Sequence, residues 1–74
     1  MKIPDPDIYF GKKIKVVFED DVVVIGDFYS YNYDYDDDGV EFLELDMQRE
    51  DGFFIGFTED EIKKIEVIGD ADEV

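Results

Sequence analysis

The stretch Gly11–Tyr31 constrains the fold of this chain more than any other part, because it places two apolar segments on either side of one tight turn. Residues 13–19 alternate between apolar and charged side chains, with only Val17 out of pattern, and this indicates a half-buried β-strand. Asp20-Asp21 stands where a two-residue hairpin turn is needed, and aspartate tolerates positive φ better than most residues. A second strand is expected from residue 22 to about residue 31.

Gly26 lies in the middle of this second predicted strand. Both faces around it are substantially apolar, with Val24 and Phe28 on one face and Ile25 on the other. A glycine inside a strand commonly marks a sharp bend, such as the corner of a barrel. We therefore expect the strand to bend at Gly26 and to contribute to both halves of a curled sheet.

Three further strands are expected after an acidic loop at residues 32–39. The alternation of the third strand slips at Phe42-Leu43, which suggests a β-bulge there. Thr58 and Glu61 have the spacing of a capping box, which predicts one helical turn before the last strand. These three predicted strands occupy residues 40–47, 53–57 and 62–68.

The N-terminal segment predicts another single helical turn, with Asp5 as its cap, Pro6 at its first position and Gly11 just past its end. A chain of 74 residues can hold one hydrophobic core but not two. We expect a mainly β fold, a five-stranded and strongly bent SH3-type barrel, whose closure would remove exposed sheet edges. The single domain is expected to span residues 1–74, with its core at about 9–69 and an acidic C-terminal tail at 70–74.

The charge balance and the missing residue types limit the function classes. The chain has 22 acidic and 7 basic residues, and its net charge of −15 repels nucleic acid and anionic membranes. It has no cysteine for a disulfide or thiolate site and no histidine, the commonest general base. Ser30 is the only serine and Thr58 the only threonine. Because the chain has no histidine, neither hydroxyl has this base to activate it as a nucleophile. We expect no enzymatic activity and no cofactor.

The distribution of apolar residues bears on location. No apolar run approaches the roughly 20 residues that span a bilayer. The N-terminal sequence MKIPDPD lacks the apolar core of a secretory signal. A cytoplasmic protein without membrane association is therefore expected.

Two segments carry a family resemblance. The run GKKIKVVFEDD from Gly11, followed by VVVIGDFYSYN, resembles the first motif of Sm-like (LSM domain) proteins. In that motif a strand opens with Gly-Lys, an acidic turn follows, and a glycine precedes a large apolar residue by two positions, here Gly26 and Phe28. Asn32 stands where the family usually has aspartate. The closing segment, residues 60–68, is similar to the final strand of divergent Sm-like domains.

The resemblance implies a bent five-stranded barrel that forms rings by pairing the fourth strand of one subunit with the fifth strand of the next. It also implies uridine-rich RNA as a ligand, with Tyr35 where a side chain stacks on a base and Asp36 where an asparagine reads that base. The family's arginine-glycine pair before the last strand is replaced here by Ile55-Gly56-Phe57. RNA binding therefore stays an alternative that the charge disfavours.

The acidic loop contains candidate calcium ligands. Asp34, Asp36 and Asp38 occupy positions one, three and five of a calcium-loop pattern, and Gly39 occupies position six. Position twelve, which should be a bidentate glutamate, is Leu45, and the predicted flanks are strands rather than helices. A solvated acidic hairpin loop is favoured over a calcium site. Weak binding of divalent cations by the clustered carboxylates is an intermediate interpretation.

Alternating tyrosines form a candidate interface or ligand face. If the second strand extends far enough, Tyr29, Tyr31, Tyr33 and Tyr35 lie on one face, and Asn32 lies between them. Stacked aromatic rings bind single-stranded nucleic acid when a basic groove runs beside them. The neighbours here are aspartates, so cross-strand packing or a protein interface is favoured.

Lysines cluster in the first and last predicted strands, which are neighbours in barrels of this type. They could form one basic patch. The favoured alternative is that they balance nearby carboxylates and protect a strand edge. The residues concerned are Lys12, Lys13, Lys15, Lys63 and Lys64.

These observations favour a non-catalytic Sm-like barrel that acts as a protein-interaction or homo-oligomeric assembly module. An RNA-binding Sm-like ring is the main alternative. An acidic mimic of nucleic acid, which occupies the basic cleft of a DNA-binding protein, and a weak divalent-cation-binding domain are further alternatives.

Overall fold

The computed structural model describes residues 1–71 and consists mainly of β-structure. Five strands form one antiparallel sheet in the order β4-β3-β2-β1-β5. The strands are β1 (Lys12–Phe18), β2 (Val23–Tyr35), β3 (Glu41–Arg49), β4 (Phe54–Thr58) and β5 (Ile62–Asp70), and two 3₁₀ turns are η1 (Pro6–Tyr9) and η2 (Glu59–Glu61). The prediction of a mainly β chain with five strands and two helical turns is confirmed.

The sheet is curled but open. Phe18 at the end of β1 and Phe57 in β4 contact each other edge to face, with ring centroids 5.3 Å apart. Among residues 1–71, however, β4 and β5 are not paired and form the two edges of the sheet. We expected the sheet to close into a barrel without exposed edges. Within this part of the chain, such closure is not observed.

Gly26 is the position at which β2 changes partners. Residues 23–27 of β2 pair with β1, and pairing with β3 begins at Gly26 opposite Arg49. A Cβ atom at Gly26 would overlap the backbone oxygen of Gln48 and would lie 2.9 Å from its carbonyl carbon. The absence of a side chain is therefore what lets β3 approach β2 here, and β2 contributes to both halves of the sheet as predicted.

The β-bulge lies in β2 and not in β3. The register passes from Phe28 opposite Met47 to Ser30 opposite Asp46, so Tyr29 is the extra residue. The prediction of a bulge at residues 42–43 is wrong. β3 alternates regularly there, because Phe42 lies half-buried on the face opposite to that of the buried residues of the strand.

The core begins closer to the N-terminus than residue 9. Ile3 is buried, and its backbone N–H donates to Glu59 Oε2 at 2.6 Å, which ties the N-terminal arm to η2. The largest fully buried side chains are those of Ile14, Val16, Leu43, Leu45, Met47 and Ile62. Tyr9 in η1, Phe28 in β2 and Phe57 in β4 complete the core, which therefore draws on the N-terminal arm and on all five strands.

The C-terminal end of the described chain is part of the sheet. β5 continues through Asp70, and the N–H of Ala71 donates to the oxygen of Gly11 at 2.9 Å. The predicted acidic tail at 70–74 therefore starts inside β5, and residues 72–74 lie outside the described residues. Within residues 1–71, none of the helical segments is both long enough and apolar enough to cross a membrane.

Short-range signals determine the turns. Asp5 caps η1 by accepting a hydrogen bond from the N–H of Asp7 at 3.3 Å. The Glu61 carboxylate accepts from both the N–H and the hydroxyl of Thr58, at 3.2 and 3.1 Å. The predictions of the two helical turns are confirmed.

Asp21 has a φ of 69°, but the hairpin between β1 and β2 is not the expected two-residue turn at Asp20-Asp21. The oxygen of Phe18 accepts from the N–H of Asp21, and the N–H of Phe18 donates to the oxygen of Val22. Residues 19–21 therefore form a three-residue loop that ends on a positive φ.

Candidate functional site

The bulge separates the four alternating tyrosines. β2 extends through Tyr35, so the predicted acidic loop at residues 32–39 is wrong in its first half, and residues 36–40 alone connect β2 to β3. From Tyr31 onward the register places Tyr31, Tyr33 and Tyr35 on the face that carries Leu43 and Leu45. Tyr29, at the bulge, instead packs against Phe54 with ring centroids 4.9 Å apart. Asn32 pairs with Glu44 on the face opposite to that of its neighbouring tyrosines. The single tyrosine face that the sequence suggested is thus divided, because one extra residue inverts the alternation.

Four rings lie along one face between the core and the end of β2, and we call them the aromatic strip (Phe10, Tyr31, Tyr33 and Tyr35). The first three contact one another in sequence, and Tyr35 follows on the same face. Phe10 lies 5.1 Å from the buried ring of Phe28 and 5.7 Å from Tyr31. Tyr31 contacts Tyr33 edge to face at 6.0 Å. Tyr33 and Tyr35 are 52% and 64% exposed, so the outer part of the strip is open to solvent.

A hydrogen bond from η1 fixes the middle of the strip. The hydroxyl of Tyr31 donates to Asp7 Oδ1 at 2.6 Å. This bond is the main cause that raises the pKa of Tyr31 from its ordinary value of 10.0 to about 12, with a smaller contribution from desolvation. The negatively charged acceptor favours the protonated phenol, so Tyr31 remains neutral and anchored at neutral pH.

Asp7→Ala is expected to lower the pKa of Tyr31 towards 10.0, because the charged acceptor is removed. Since the pKa is higher in the folded than in the unfolded protein, the bond stabilises the fold fully below pH 10 and is lost as the pH rises towards about 12. Tyrosinate absorbance during a pH titration measures this change, and Tyr31→Phe identifies which transition belongs to Tyr31. A high-pH transition that persists in Asp7→Ala would contradict the assignment.

The lysines of the candidate basic patch lie among carboxylates. Lys12 pairs with Asp70 at 2.8 Å and Lys64 with Glu66 at 2.5 Å, and each lysine lowers the pKa of its partner mainly through this hydrogen bond. Three further lysines have acidic neighbours: Lys63 forms an ion pair with Asp21, Lys15 lies opposite Glu66, and Lys13 lies opposite Asp27. The structure thus places the five lysines on a surface of mixed charge.

The acidic loop uses its carboxylates to form its own turn. Asp36 Oδ1 accepts from the N–H groups of Asp38 and Val40, both at 2.9 Å, and Asp34 Oδ1 accepts from the N–H of Tyr35 at 2.8 Å. Such bonds to nearby backbone are typical of aspartate in turns. In the described part of the chain, no group of three or more potential ligands is arranged to hold a metal ion. The calcium hypothesis gains no support from this geometry.

The two edges of the sheet expose large apolar side chains that the sequence reasoning did not single out. Phe53 and Phe54 at β4 are 70% and 55% exposed, and Val67 and Ile68 in β5 are 48% and 46% exposed. Ile68 lies at a register shift between β5 and β1. The available signal was the adjacency of each pair, because successive residues of a strand point to opposite faces and cannot both enter one core.

Comparison with known proteins does not assign this chain to a family. The remaining guides to function are surfaces of the chain itself: two sheet edges that are unpaired within residues 1–71, the aromatic strip and an acidic hairpin loop. No protein-family model matches the chain, and searches of curated proteins and of solved structures found no match.

Proposed function

We propose that the protein is a non-catalytic, Sm-like assembly module in which β4 of one copy pairs with β5 of the next. The observation that carries this proposal is the open sheet, whose two free edges both expose apolar side chains. An edge strand presents unpaired N–H and C=O groups, which a strand of another chain can satisfy. Two different edges that meet form a head-to-tail contact, which produces a ring or a filament.

The apolar side chains favour particular halves of the two edges. On β4, Phe53 and Phe54 offer rings at the start of the strand. On β5, the first half carries Lys63 and Lys64, and lysines are typical of protected edges. The second half carries Val67 and Ile68 instead. The contact is therefore proposed between the start of β4 and residues 65–69 of β5.

Net charge opposes this assembly. Two copies that each carry −15 repel one another at long range, and this repulsion is screened within about 8 Å at physiological salt. Apolar contact and strand pairing act at short range and are weakened much less by salt. Assembly should therefore increase with both protein concentration and ionic strength.

The same proposal includes an Sm-like barrel as the type of fold. A curled five-stranded antiparallel sheet in which β1 pairs with both β2 and β5 is compatible with the Sm-like barrel suggested by residues 11–32. We place this module in the cytoplasm, in line with the sequence expectation. RNA binding is not included, since the tyrosines are surrounded by carboxylates and the lysines by acidic neighbours.

Sedimentation velocity across a concentration series at low and high salt tests the proposal. The unmodified protein should form larger species as salt and concentration rise. Phe54→Asp disrupts the β4 edge and Ile68→Asp the β5 edge, so each variant alone should remain monomeric. Val40→Asp adds the same charge at a residue that is 60% exposed and lies outside both edges, and this control should still assemble.

Mixing the two edge variants makes the test sharper. Each variant retains the edge that the other lacks, so an equimolar mixture should form dimers and no larger species. Circular dichroism verifies that both variants are folded. If the folded, unmodified protein is monomeric under all these conditions, or if the mixture does not associate, the proposed pairing is wrong.

A further inference from the structure

The β2–β3 hairpin carries a sheet face that is left uncovered in the described part of the chain. The molecule measures 40 × 24 × 22 Å along its principal axes, and β2 alone contains 13 residues. Phe28, near the middle of β2, is 6% exposed, whereas Tyr33 and Tyr35 further along the same strand are more than half exposed. The outer part of the aromatic strip is thus a surface rather than a part of the core.

The inner rings of the aromatic strip are held by contacts with the core and with η1. Phe10 rests edge to face on Phe28, and Tyr31 is anchored by its bond to Asp7 and by contact with Phe10. Tyr33 in turn packs edge to face on Tyr31. Rings that are already ordered lose little conformational freedom when a ligand binds. Phe10, Tyr31 and Tyr33 therefore form a prearranged aromatic surface, which Tyr35 extends along the same face of β2.

The surroundings of the strip carry negative charge. Residues 16–48, which include all of β2 and nearly all of β3, contain no lysine or arginine. Asp34 and Glu41 flank Tyr35 along the chain and across the hairpin, and the loop that follows is acidic.

In the middle of the strip, Asp7 accepts the hydrogen bond from Tyr31, and Asp5 caps the same turn. Lys2 of the N-terminal arm lines a cavity with Asp36 and Glu41, but the charges around it are mainly negative. A ligand on this face therefore meets aromatic rings among carboxylates.

We propose that the aromatic strip is a docking surface for an arginine- and lysine-rich polypeptide segment. Cations bind over the faces of tyrosine and phenylalanine within about 6 Å of the ring centroid. Carboxylates at the rim accept charge-assisted hydrogen bonds from guanidinium and ammonium groups. Arginine should bind better than lysine, because its guanidinium is planar, is weakly hydrated and stacks on aromatic rings.

Charge complementarity selects this occupant over the others. Single-stranded nucleic acid also stacks on aromatic rings, but it requires a basic groove for its phosphates. A second copy of this chain would bring its own carboxylates against those of the strip, which is repulsive. The surface also lies on a different part of the sheet from the β4 and β5 edges, so the inference does not depend on the proposed assembly.

Fluorescence anisotropy at low salt tests the inference on the full chain. The probes are short labelled peptides of alternating arginine and glycine, of alternating lysine and glycine, and of glycine and serine, together with an oligo-uridine of similar length. We expect the arginine peptide to bind more tightly than the lysine peptide. The neutral peptide and the oligo-uridine should show no binding. Oligo-uridine binding as tight as that of the arginine peptide would overturn the inference.

Substitutions within the strip distinguish ring contacts from general charge attraction. Each exposed cation–aromatic contact contributes about a two- to fivefold change in affinity, so Tyr33→Ala together with Tyr35→Ala should weaken the arginine peptide about tenfold. Tyr33→Phe with Tyr35→Phe keeps the rings and should retain binding. Tyr29→Ala is the matched control, because Tyr29 is 62% exposed but packs on Phe54 rather than on the strip.

The same experiment defines the outcomes that contradict the inference. It is wrong if the double alanine variant binds the arginine peptide as tightly as the unmodified protein, or if Tyr29→Ala weakens binding equally. Binding that depends on Asp37 and Asp38 alone, tested with Asp37→Asn and Asp38→Asn, would show attraction to the acidic loop without the rings. Repeating the titration with Phe54→Asp keeps the protein monomeric and separates docking from assembly.

Discussion

Gly26→Ala is expected to destabilise the protein by about 3 kcal/mol or more, since the added methyl group has no space. Its Cβ would overlap the backbone oxygen of Gln48 and would also lie 3.0 Å from Met47 Cε. A flexible side chain could move away, but the obstructing backbone belongs to the β2–β3 pairing that begins at this residue. Total stability for a domain of this size is about 4–11 kcal/mol, so one methyl group would remove much of it. Urea unfolding monitored by circular dichroism measures the loss.

Gly69→Ala is the matched control for this prediction. Gly69 also lies in a strand, but a Cβ there would meet no atom within 4 Å and its φ is not positive. Alanine restricts the unfolded chain more than glycine does, so this change should be neutral or stabilising by about 0.5 kcal/mol. Equal effects of the two substitutions would mean that close approach of the strands does not limit residue 26.

Leu45→Ala is expected to cost about 2–5 kcal/mol, because it leaves a cavity at the centre of the sheet. Leu45 is fully buried in β3, with Tyr31 opposite it on β2 and Phe57 opposite it on β4. The two neighbouring rings are held by contacts of their own, Tyr31 with Phe10 and Phe57 with Phe18, so the space should collapse only in part. Urea unfolding again gives the change in free energy.

Two further variants test the cause of that loss. Leu45→Met keeps the volume and should cost less than about 1.5 kcal/mol. Val40→Ala removes apolar atoms from a side chain that is 60% exposed and should change stability by less than about 0.5 kcal/mol. A small effect of Leu45→Ala would contradict the view that β3 forms the centre of the core.

Elements whose signals are local were predictable from the sequence. Asp5 and Pro6 define η1 because capping and a fixed φ act over one turn, and the Thr58 and Glu61 pair defines η2 for the same reason. The number and approximate bounds of the strands follow from side-chain alternation with a period of two. Gly26 was identifiable because a glycine within an apolar strand requires a structural reason.

The candidate site was only partly predictable. The tyrosines were identified, but the position of the bulge was not, because a bulge depends on how β2 and β3 align across the sheet. Because Tyr29 is the extra residue of the bulge, its side chain packs against Phe54. The other three tyrosines of the strand lie on the core face. The lysines were identified as well, but most of their carboxylate neighbours lie far away in the chain, as with Lys12 and Asp70. Lys64 and Glu66, two positions apart, are the exception among these pairs.

By itself, the sequence determined the elements: a glycine-centred long strand, four others around it, two capped turns, and a net charge of −15, which repels anionic partners at long range. These properties depend on short-range sterics, on local hydrogen bonds and on composition. Only the tertiary structure decided which strands lie at the edges, which side of β2 each tyrosine occupies and which apolar residues stay exposed. These depend on register and on long-range packing, since contacts between residues distant in the chain are made only when the whole sheet assembles.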